Sequence, residues 1–285
     1  MRTNKSSTPL VFPTNESVNK IYDAYLLDLD GTVLLGNNLI TGAETTISAL
    51  KSLGKRVIFI SNNSTSSAAS YAKKLTSLGI PTENEDIVNS TMVLIKFLNE
   101  NIPKARLLVI GELDLCNELK ENGFDVTDSE SNVDAVIASF DRNFKYEKLQ
   151  AAFDAIENGA RFFATNADKY RPIENSAEPD AGAIIAAIEA CTGKMCEVNV
   201  GKPSHHTVDY IKSKFIDLND KLIIVGDRPE TDVQMAINAS VDSALVLSGA
   251  TNEKNILNVQ IKPTYVINSV IDLLPDNILN ELKNN

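Results

Sequence analysis

Two aspartates stand one residue apart at the end of an apolar run, in the stretch YLLDLDGT. Asp28 and Asp30 are followed at once by Gly31, a residue type that lets the chain turn sharply. Two ionised carboxylates this close together repel each other unless a cation lies beside them. A strand that ends in such a pair therefore predicts a metal site before any reaction is considered.

A second apolar run also ends in carboxylates, in the stretch LIIVGDRPETD. If Asp28, Asp30 and Asp227 meet at neighbouring strand ends, they need a cation between them. Mg²⁺ suits this donor set, because it binds through one or two carboxylates, several waters and a substrate phosphate. Asp232 follows one helical turn later, where it either holds a metal-bound water or only charges the start of a helix.

A metal alone does not explain why Asp30 stands so near Asp28. The turn at Gly31 can swing the second carboxylate away from the first, so that one attacks a phosphorus atom while the other protonates the leaving alkoxide. The pair therefore predicts covalent catalysis through an aspartyl-phosphate. Asp30 would act first as the acid and then as the base for the hydrolytic water.

A transferring phosphoryl group needs fixed hydrogen-bond donors around its oxygens. The candidates are Ser61 and Asn62 in the stretch ISNN, Lys202 in GKP, and the main-chain N–H groups that follow Asp28, that of Gly31 among them. Ser61 and Asn62 are also typical of a helix cap and a turn, so both interpretations stay open at this point.

Apolar runs and helical patterns alternate along nearly the whole chain. Predicted strands cover residues 24–30, 56–63, 105–112, 134–140, 161–166, 221–227 and 243–249. Predicted helices cover residues 43–54, 65–79, 90–101, 113–123, 146–158, 180–192, 204–215, 231–239 and 267–283. This alternation predicts parallel sheets covered by helices, with ligands bound outside the carboxyl ends of the strands. The segment between ISNN and GKP is long enough for a second α/β domain inserted into the first.

Composition excludes several classes of protein. The chain has 285 residues, 43% of them hydrophobic, and a net charge of −11 without a block of lysine and arginine, so nucleic acid and anionic membranes are poor partners. Its three cysteines form no C-x-x-C pair, which fits a reducing compartment. Residues 1–20 are polar and contain no signal-peptide core, so we expect a loose surface arm and a cytoplasmic location.

Four motifs occur in a fixed order: D-x-D-G-T, S-N-N, G-K-P and G-D-R-P-E-T-D. Together they resemble the haloacid dehalogenase superfamily of phosphatases, subclass IIA, the p-nitrophenylphosphatase-like (NagD-like) branch. The resemblance spans roughly residues 22 to 250. It implies a Rossmann-like, doubly wound parallel-sheet core made of residues 1–98 and 197–285, with an inserted α/β cap of the C2 type at residues 99–196.

The resemblance also implies individual roles. Asp28 would be the nucleophile, Asp30 the acid and base, and Lys202 the cationic stabiliser. Ser61 and Asn62 would contact the phosphate.

For the metal, the resemblance implies that Mg²⁺ is held by Asp28, by the main-chain carbonyl of Asp30 and by Asp227.

In the cap, the stretches ATNADKY and EPDAGAI resemble segments that approach the core site in this branch. Asn166, Asp168, Asp180 and Gly182 are therefore candidates for a substrate loop, although turn chemistry alone also explains these residue types. The histidines in the chain, His205 and His206, are adjacent at a helix start and are interpreted as solvated rim residues.

The leading hypothesis is a Mg²⁺-dependent phosphatase for a small phosphorylated metabolite, such as a sugar phosphate or a nucleotide monophosphate. The alternative is a phospho-accepting signalling module of the receiver type, which also gathers acids, Mg²⁺ and a lysine on a parallel sheet. The acid beside the acceptor and the cap-sized insert favour turnover. A dinucleotide-binding oxidoreductase is discounted, because G-x-G-x-x-G does not occur. The assembly that we predict is a homodimer formed through the cap.

Overall fold

A computed structural model describes residues 18, 20–173, 176–215, 221–275 and 278. Within this part the chain divides into two compact units. The first belongs to Met1–Val57 together with Leu218–Asn285, and the second is Ile58–Asp217. Of the predicted surface arm at residues 1–20, all but residues 18 and 20 lies outside the described residues.

Strands and helices alternate through the described part of the chain. The strands are β1 (Ala24–Asp28), β2 (Leu34–Leu35), β3 (Asn38–Leu39), β4 (Arg56–Ser61), β5 (Ile87–Asn89), β6 (Arg106–Ile110), β7 (Asp125–Thr127), β8 (Ala135–Ala138), β9 (Arg161–Ala164), β10 (Tyr170–Ile173), β11 (Ser176–Pro179), β12 (Val198–Asn199), β13 (Leu222–Gly226), β14 (Asp242–Val246) and β15 (Tyr265–Ile267). The α-helices are α1 (Ala43–Ser52), α2 (Ala68–Ser77), α3 (Ser90–Asn101), α4 (Leu113–Glu121), α5 (Tyr146–Glu157), α6 (Ala181–Thr192), α7 (His205–Lys214) and α8 (Gln234–Ala239). Short 3₁₀ turns lie at Asn84–Asp86, Ile256–Asn258 and Val270–Leu273, and a π-helical turn lies at Pro229–Val233.

The larger sheet has six strands in the order β15–β14–β13–β1–β4–β5. In the first unit β1 pairs with β13, β13 with β14, and β14 with β15, each in parallel. The boundary between the units falls within β4, whose residue Arg56 donates its main-chain N–H to the carbonyl of Asp23 (3.0 Å). In the second unit the remainder of β4 pairs in parallel with β5.

The smaller sheet lies wholly in the second unit and has five strands in the order β12–β9–β8–β6–β7. All of its neighbouring strands are parallel. The two-stranded hairpins β2–β3 and β10–β11 are antiparallel. The predicted fold class, an α/β protein built on parallel sheets, is confirmed. The predicted insert boundaries of 99–196 stay a prediction.

Continuous apolar runs form the central strands of both units. Every residue of β1 and of β13 is buried, as expected for parallel strands covered on both faces. Helix α1 contributes Ile47 and Leu50 to the first unit's core at helical spacing. In the second unit, β6, β8 and β9 contribute to a buried cluster with one face of α5 and α6.

Several elements differ from the sequence-based prediction. The predicted helix at 231–239 begins with the π-helical turn Pro229–Val233 and continues as α8. The predicted helix at 267–283 overlaps the end of β15 and the 3₁₀ turn Val270–Leu273, while most residues beyond 275 lie outside the described part. Strands of two or three residues, such as β5, β7 and β12, were not predicted, because they are too short to show a periodic pattern. No helix in the described ranges is both long and apolar enough to cross a membrane.

Candidate active site

The pairing of β1 with β13 explains how Asp28 and Asp227 come together. Leu27 is aligned with Val225 in this parallel pair. Asp28 is the last residue of β1, and Asp227 comes directly after the last residue of β13. Because parallel strands end at the same edge of a sheet, the two carboxylates leave that edge side by side.

Asp28, Asp227 and Asp232 form a compact group of carboxylates in the first unit. One oxygen atom from each lies within 4.8 Å of the others. The residues are buried, at 7%, 1% and 1% exposure respectively. No other group of three or more histidine, cysteine, aspartate or glutamate side chains comes this close within the described part of the chain.

The donor set of this group fits a divalent cation. Three buried carboxylates at this separation repel one another strongly in their charged forms, and burial weakens the screening by water. Hard oxygen ligands of this kind are those that Mg²⁺ prefers. The residues present therefore match the metal that the sequence predicted.

Two glycines, Gly31 and Gly249, pack directly against the carboxylate of Asp227. A Cβ atom at either Gly31 or Gly249 would lie only 2.1 Å from Oδ2 of Asp227. Gly31 also has a φ of +94°, a conformation that residues with a side chain rarely adopt. Oδ2 of Asp227 accepts a hydrogen bond from the main-chain N–H of Ala250 (2.6 Å), which fixes its orientation.

The π-helical turn brings Asp232 back onto the end of β13. Its Oδ2 accepts a hydrogen bond from the main-chain N–H of Arg228 (3.2 Å), and its own N–H donates to the Arg228 carbonyl (2.9 Å). A Cβ atom at Gly226 would lie 2.1 Å from Cγ of Asp232. The carboxylate therefore packs directly on the backbone of the strand, and only a glycine leaves room for it.

Asp30 lies in the tight turn that follows β1, and its side chain is only half-buried. The N–H of Gly31 donates to the carbonyl of Leu34 (2.7 Å), and the N–H of Leu34 donates to the carbonyl of Leu29 (2.8 Å). The carboxylate of Asp30 does not belong to the buried group of three. A role for the Asp30 side chain that differs from that of Asp28 stays a prediction.

In the second unit, Ser61 and Asn62 stand at the end of β4, and both are buried. The Ser61 hydroxyl oxygen accepts a hydrogen bond from the N–H of Asn63 (3.1 Å). The Asn62 amide faces Lys202: its Oδ1 accepts from the Lys202 N–H (2.7 Å), and its Nδ2 donates to the Lys202 carbonyl (3.1 Å). The structure thus brings together two predicted residues that lie 140 positions apart.

Asn166 and Asp168, the predicted substrate-loop residues, belong to the same network. Nδ2 of Asn166 donates to the main-chain carbonyl of Asn62 (3.0 Å), and Oδ1 of Asn166 accepts from the N–H of Asp168 (3.0 Å). Oδ2 of Asp168 accepts from Nδ2 of Asn62 (3.2 Å). Gly182 packs on the same loop and donates its N–H to the Asp168 carbonyl (2.9 Å), while Asp180 caps α6.

The predicted site residues therefore fall into two sets, and each set is gathered within its own unit. The first unit holds Asp28, Asp30, Gly31, Asp227 and Asp232, and the second holds Ser61, Asn62, Asn166, Asp168 and Lys202.

Sequence reasoning missed a buried chain of hydroxyl groups next to Asn166. The Ser139 hydroxyl hydrogen-bonds both Ser64 (2.6 Å) and Thr165 (2.8 Å), and all three are buried. Nδ2 of Asn166 also reaches the Thr165 hydroxyl (3.5 Å). No motif marks these residues, but Ser139 and Thr165 each follow directly on an apolar strand, which is the signal that a search could have used.

The histidines do not join either set. Burial, together with the neighbouring His205, lowers the pKa of His206, which favours a neutral ring. Its ring stacks edge-on against Phe97, with 5.0 Å between the centroids, while His205 is exposed. His205 thus fits the predicted solvated rim position, whereas His206 is half-buried against Phe97.

Comparison with known protein families gives two matches. A model described as haloacid dehalogenase-like hydrolase matches residues 25–125, and one described as HAD-hydrolase-like matches residues 199–273.

Among curated relatives, the chain is 33% identical to an acid sugar phosphatase of Staphylococcus saprophyticus, over 90% of this chain and 98% of that protein. It is 32% identical to the 5'-nucleotidase YutF of Bacillus subtilis, over 90% and 99%.

Solved structures with the same fold include a p-nitrophenyl phosphatase from Archaeoglobus fulgidus. It has a TM-score of 0.83 and 30% identity, and the match covers 88% of this chain and 98% of that one. A glycerol phosphate phosphatase from Mycobacterium tuberculosis, in complex with magnesium, has a TM-score of 0.81 and 30% identity, with 92% and 79% covered.

Proposed function

Because the chain belongs to the haloacid dehalogenase superfamily, in the p-nitrophenylphosphatase-like branch of subclass IIA, we propose that it is a Mg²⁺-dependent phosphatase that uses Asp28 as its nucleophile. That the protein is a phosphoric monoester hydrolase follows from its phosphatase relatives within this family. The observation that carries the proposed mechanism is the buried group of Asp28, Asp227 and Asp232, whose carboxylate oxygens lie within 4.8 Å of one another.

In the first half-reaction a carboxylate oxygen of Asp28 bonds to the phosphorus atom, and the bond from phosphorus to the ester oxygen breaks. Asp30 gives its proton to the departing alkoxide. In the second half-reaction Asp30 takes a proton from water, whose oxygen attacks the phosphorus and releases Asp28. Inorganic phosphate leaves, and both carboxyl groups return to their starting states.

Asp28, Asp227 and the main-chain carbonyl of Asp30 are the groups that would hold Mg²⁺, with Asp232 beside them as a ligand or as the acceptor for a bound water. When bound, the metal supplies positive charge that offsets the repulsion among the carboxylates and the charge of the phosphate. Gly31, Gly249 and the N–H of Ala250 hold Asp227 in a single position.

Two residues of the second set, Lys202 and Ser61, are proposed to bind the phosphoryl group. Lys202 supplies a positive charge and Ser61 a hydroxyl donor, while main-chain N–H groups after Asp28 supply further donors. Lys202 is 4% exposed, so few waters compete for its ammonium group. Asn166 and Asp168 are proposed to shape the leaving-group side.

The substrate class is proposed to be small phosphate monoesters. Relatives of nearly equal identity are named for a sugar phosphate and for a nucleotide, at 33% and 32%. Substrate specificity is therefore proposed to depend on the residues that contact the leaving group, and not on those that contact the phosphate. A cytoplasmic location and a homodimer through the cap remain predictions.

The test is phosphate release from a panel of sugar phosphates and nucleotide monophosphates, with p-nitrophenyl phosphate as reference, in Mg²⁺ and after chelation. We expect metal-dependent turnover that Asp28→Asn abolishes. The control, Asp114→Asn, removes an exposed carboxylate on α4 and should leave the rate unchanged. Wild-type turnover by Asp28→Asn would exclude the nucleophile role, and a single burst with acetyl phosphate without turnover would favour the receiver-type module.

A further inference from the structure

The side-chain amide of Asn62 hydrogen-bonds the main chain of Lys202 in the way that a neighbouring β-strand would. Its amide pairs with both main-chain groups of Lys202, accepting from the N–H (2.7 Å) and donating to the carbonyl (3.1 Å). The Lys202 N–H can only donate and its carbonyl can only accept, so the assignment of oxygen and nitrogen in the Asn62 amide is fixed by its partners.

The second N–H of the Asn62 amide is also used. It donates to Oδ2 of Asp168 at 3.2 Å. A primary amide has two N–H donors, and here one goes to Lys202 and the other to Asp168. The Asn62 side chain would therefore have to give up one of these bonds before it could donate to a phosphate oxygen.

Asn62 is itself held firmly. Its main-chain carbonyl accepts hydrogen bonds from the Ser90 hydroxyl (2.9 Å) and from Nδ2 of Asn166 (3.0 Å). The residue is 7% exposed, so water does not compete effectively for these contacts. Asn62 is thus a fixed point against which another segment can be aligned.

The segment that carries Lys202 packs closely on this point. A Cβ atom at Gly201 would lie 2.7 Å from Oδ1 of Asn62 and 2.5 Å from the carbonyl oxygen of Thr165. Only a glycine at position 201 lets the chain pass this close to Asn62. The main chain at Lys202 therefore has little freedom to shift while Asn62 stays in place.

We propose that Asn62 is a positioning residue, which aligns the main chain of Lys202 and links it to the loop of Asp168, and that its side chain does not bind the phosphate. The functional part of this inference rests on the proposed phosphatase activity. Its structural part, the alignment of Lys202, does not.

Hydrogen–deuterium exchange tests the structural part without any substrate. The Lys202 amide should exchange at least about tenfold faster in Asn62→Ala than in the wild type, because its acceptor is gone. Ser61→Ala is the matched control, since it truncates the preceding side chain and leaves the Lys202 amide bonded. Equal protection of this amide in Asn62→Ala and the wild type would overturn the inference, whatever the activity.

Asp168 provides an internal check on the link. Asp168→Asn keeps a side-chain oxygen that can accept from Asn62, whereas Asp168→Ala does not. We expect faster exchange at Lys202 in Asp168→Ala and restored protection in Asp168→Asn. Equal exchange rates in the two variants would remove Asp168 from the proposal.

A double-mutant cycle tests the functional part. Asn62→Ala is expected to lower kcat/KM by about 10- to 100-fold, as loss of an orienting partner does. In a chain that already carries Lys202→Met, the same change should have little further effect, because there is no ammonium left to align. Ser61→Ala should instead multiply with Lys202→Met as an independent contact.

The outcomes separate the two proposals. Fully multiplicative losses for Asn62→Ala and Lys202→Met would mean that Asn62 acts on the phosphate by itself, and would overturn the positioning role. Absence of phosphatase activity in the wild type, with the expected exchange at Lys202, would remove the proposed function and leave the alignment standing. Thermal unfolding of each variant, compared with Ser61→Ala, identifies any loss that comes from misfolding.

Discussion

Replacing Gly31 by alanine should disrupt the buried group of three carboxylates and so lower activity, although no functional atom is removed. The ideal Cβ at this position would lie 2.1 Å from Oδ2 and 2.7 Å from Cγ of Asp227. Such contacts are not found below 3.0 Å, so the carboxylate or the turn must move by about 1 Å. Asp227 would then leave the position set by the N–H of Ala250.

The expected loss follows from this displacement. A misplacement of about 1 Å in a functional group costs on the order of 100-fold in rate, which corresponds to about 2.7 kcal/mol. The φ of +94° adds a separate cost in folding stability of about 1–2 kcal/mol, since an alanine is strained in this region. The variant should therefore be both less stable and much less active.

Gly36→Ala separates these two effects. Gly36 also has a positive φ, +61°, but no heavy atom lies within 4 Å of its ideal Cβ. This variant should lose about 1 kcal/mol of stability and keep kcat/KM within about twofold. Gly249→Ala should show the opposite pattern, with reduced activity but no backbone strain. The new Cβ has the same 2.1 Å clash with Oδ2 of Asp227, and Gly249 has no positive φ.

The assay is kcat/KM for p-nitrophenyl phosphate as a function of Mg²⁺ concentration, together with calorimetric Mg²⁺ titration and urea unfolding. Gly31→Ala and Gly249→Ala should both bind Mg²⁺ more weakly than Gly36→Ala. If Gly31→Ala matched Gly36→Ala in both kcat/KM and Mg²⁺ affinity, the claim that these glycines fix the Asp227 carboxylate would be refuted.

Gly226→Ala should displace Asp232, because Cγ of Asp232 lies 2.1 Å from the ideal Cβ of residue 226. Calorimetry should then show Mg²⁺ binding that is weaker by about tenfold. Unchanged Mg²⁺ affinity would contradict a role for Asp232 beside the metal. Arg142→Gln should cost at most about 1 kcal/mol of unfolding free energy at neutral pH, because the ion pair with Glu112 is partly exposed. Hydrogen bonds from Arg142 lower the pKa of Glu112 despite its partial burial, so the contribution is present above the ordinary value of 4.5 and is lost as the pH falls through the lowered pKa. Urea unfolding at neutral and at acidic pH checks this, and a difference that persists in acid would count against the pairing.

Much of the fold could be predicted because buried parallel strands have an unmistakable composition. Continuous apolar runs marked β1, β4, β6, β8, β9 and β13. Strands of two or three residues, such as β2 and β12, carry too little pattern to be recognised. The π-helical turn at Pro229–Val233 was also missed, since it is made by hydrogen bonds that no local propensity predicts.

The sequence by itself determined which residue types stand at the strand ends and, through the parallel sheet, that Asp28 and Asp227 would meet. It did not determine what each side chain touches. Only the tertiary structure decided that the Asn62 amide is engaged by Lys202, 140 residues away, and by Asp168. The reason is physical: strand composition is a local property, whereas a hydrogen bond between loops depends on the packing that brings distant segments together.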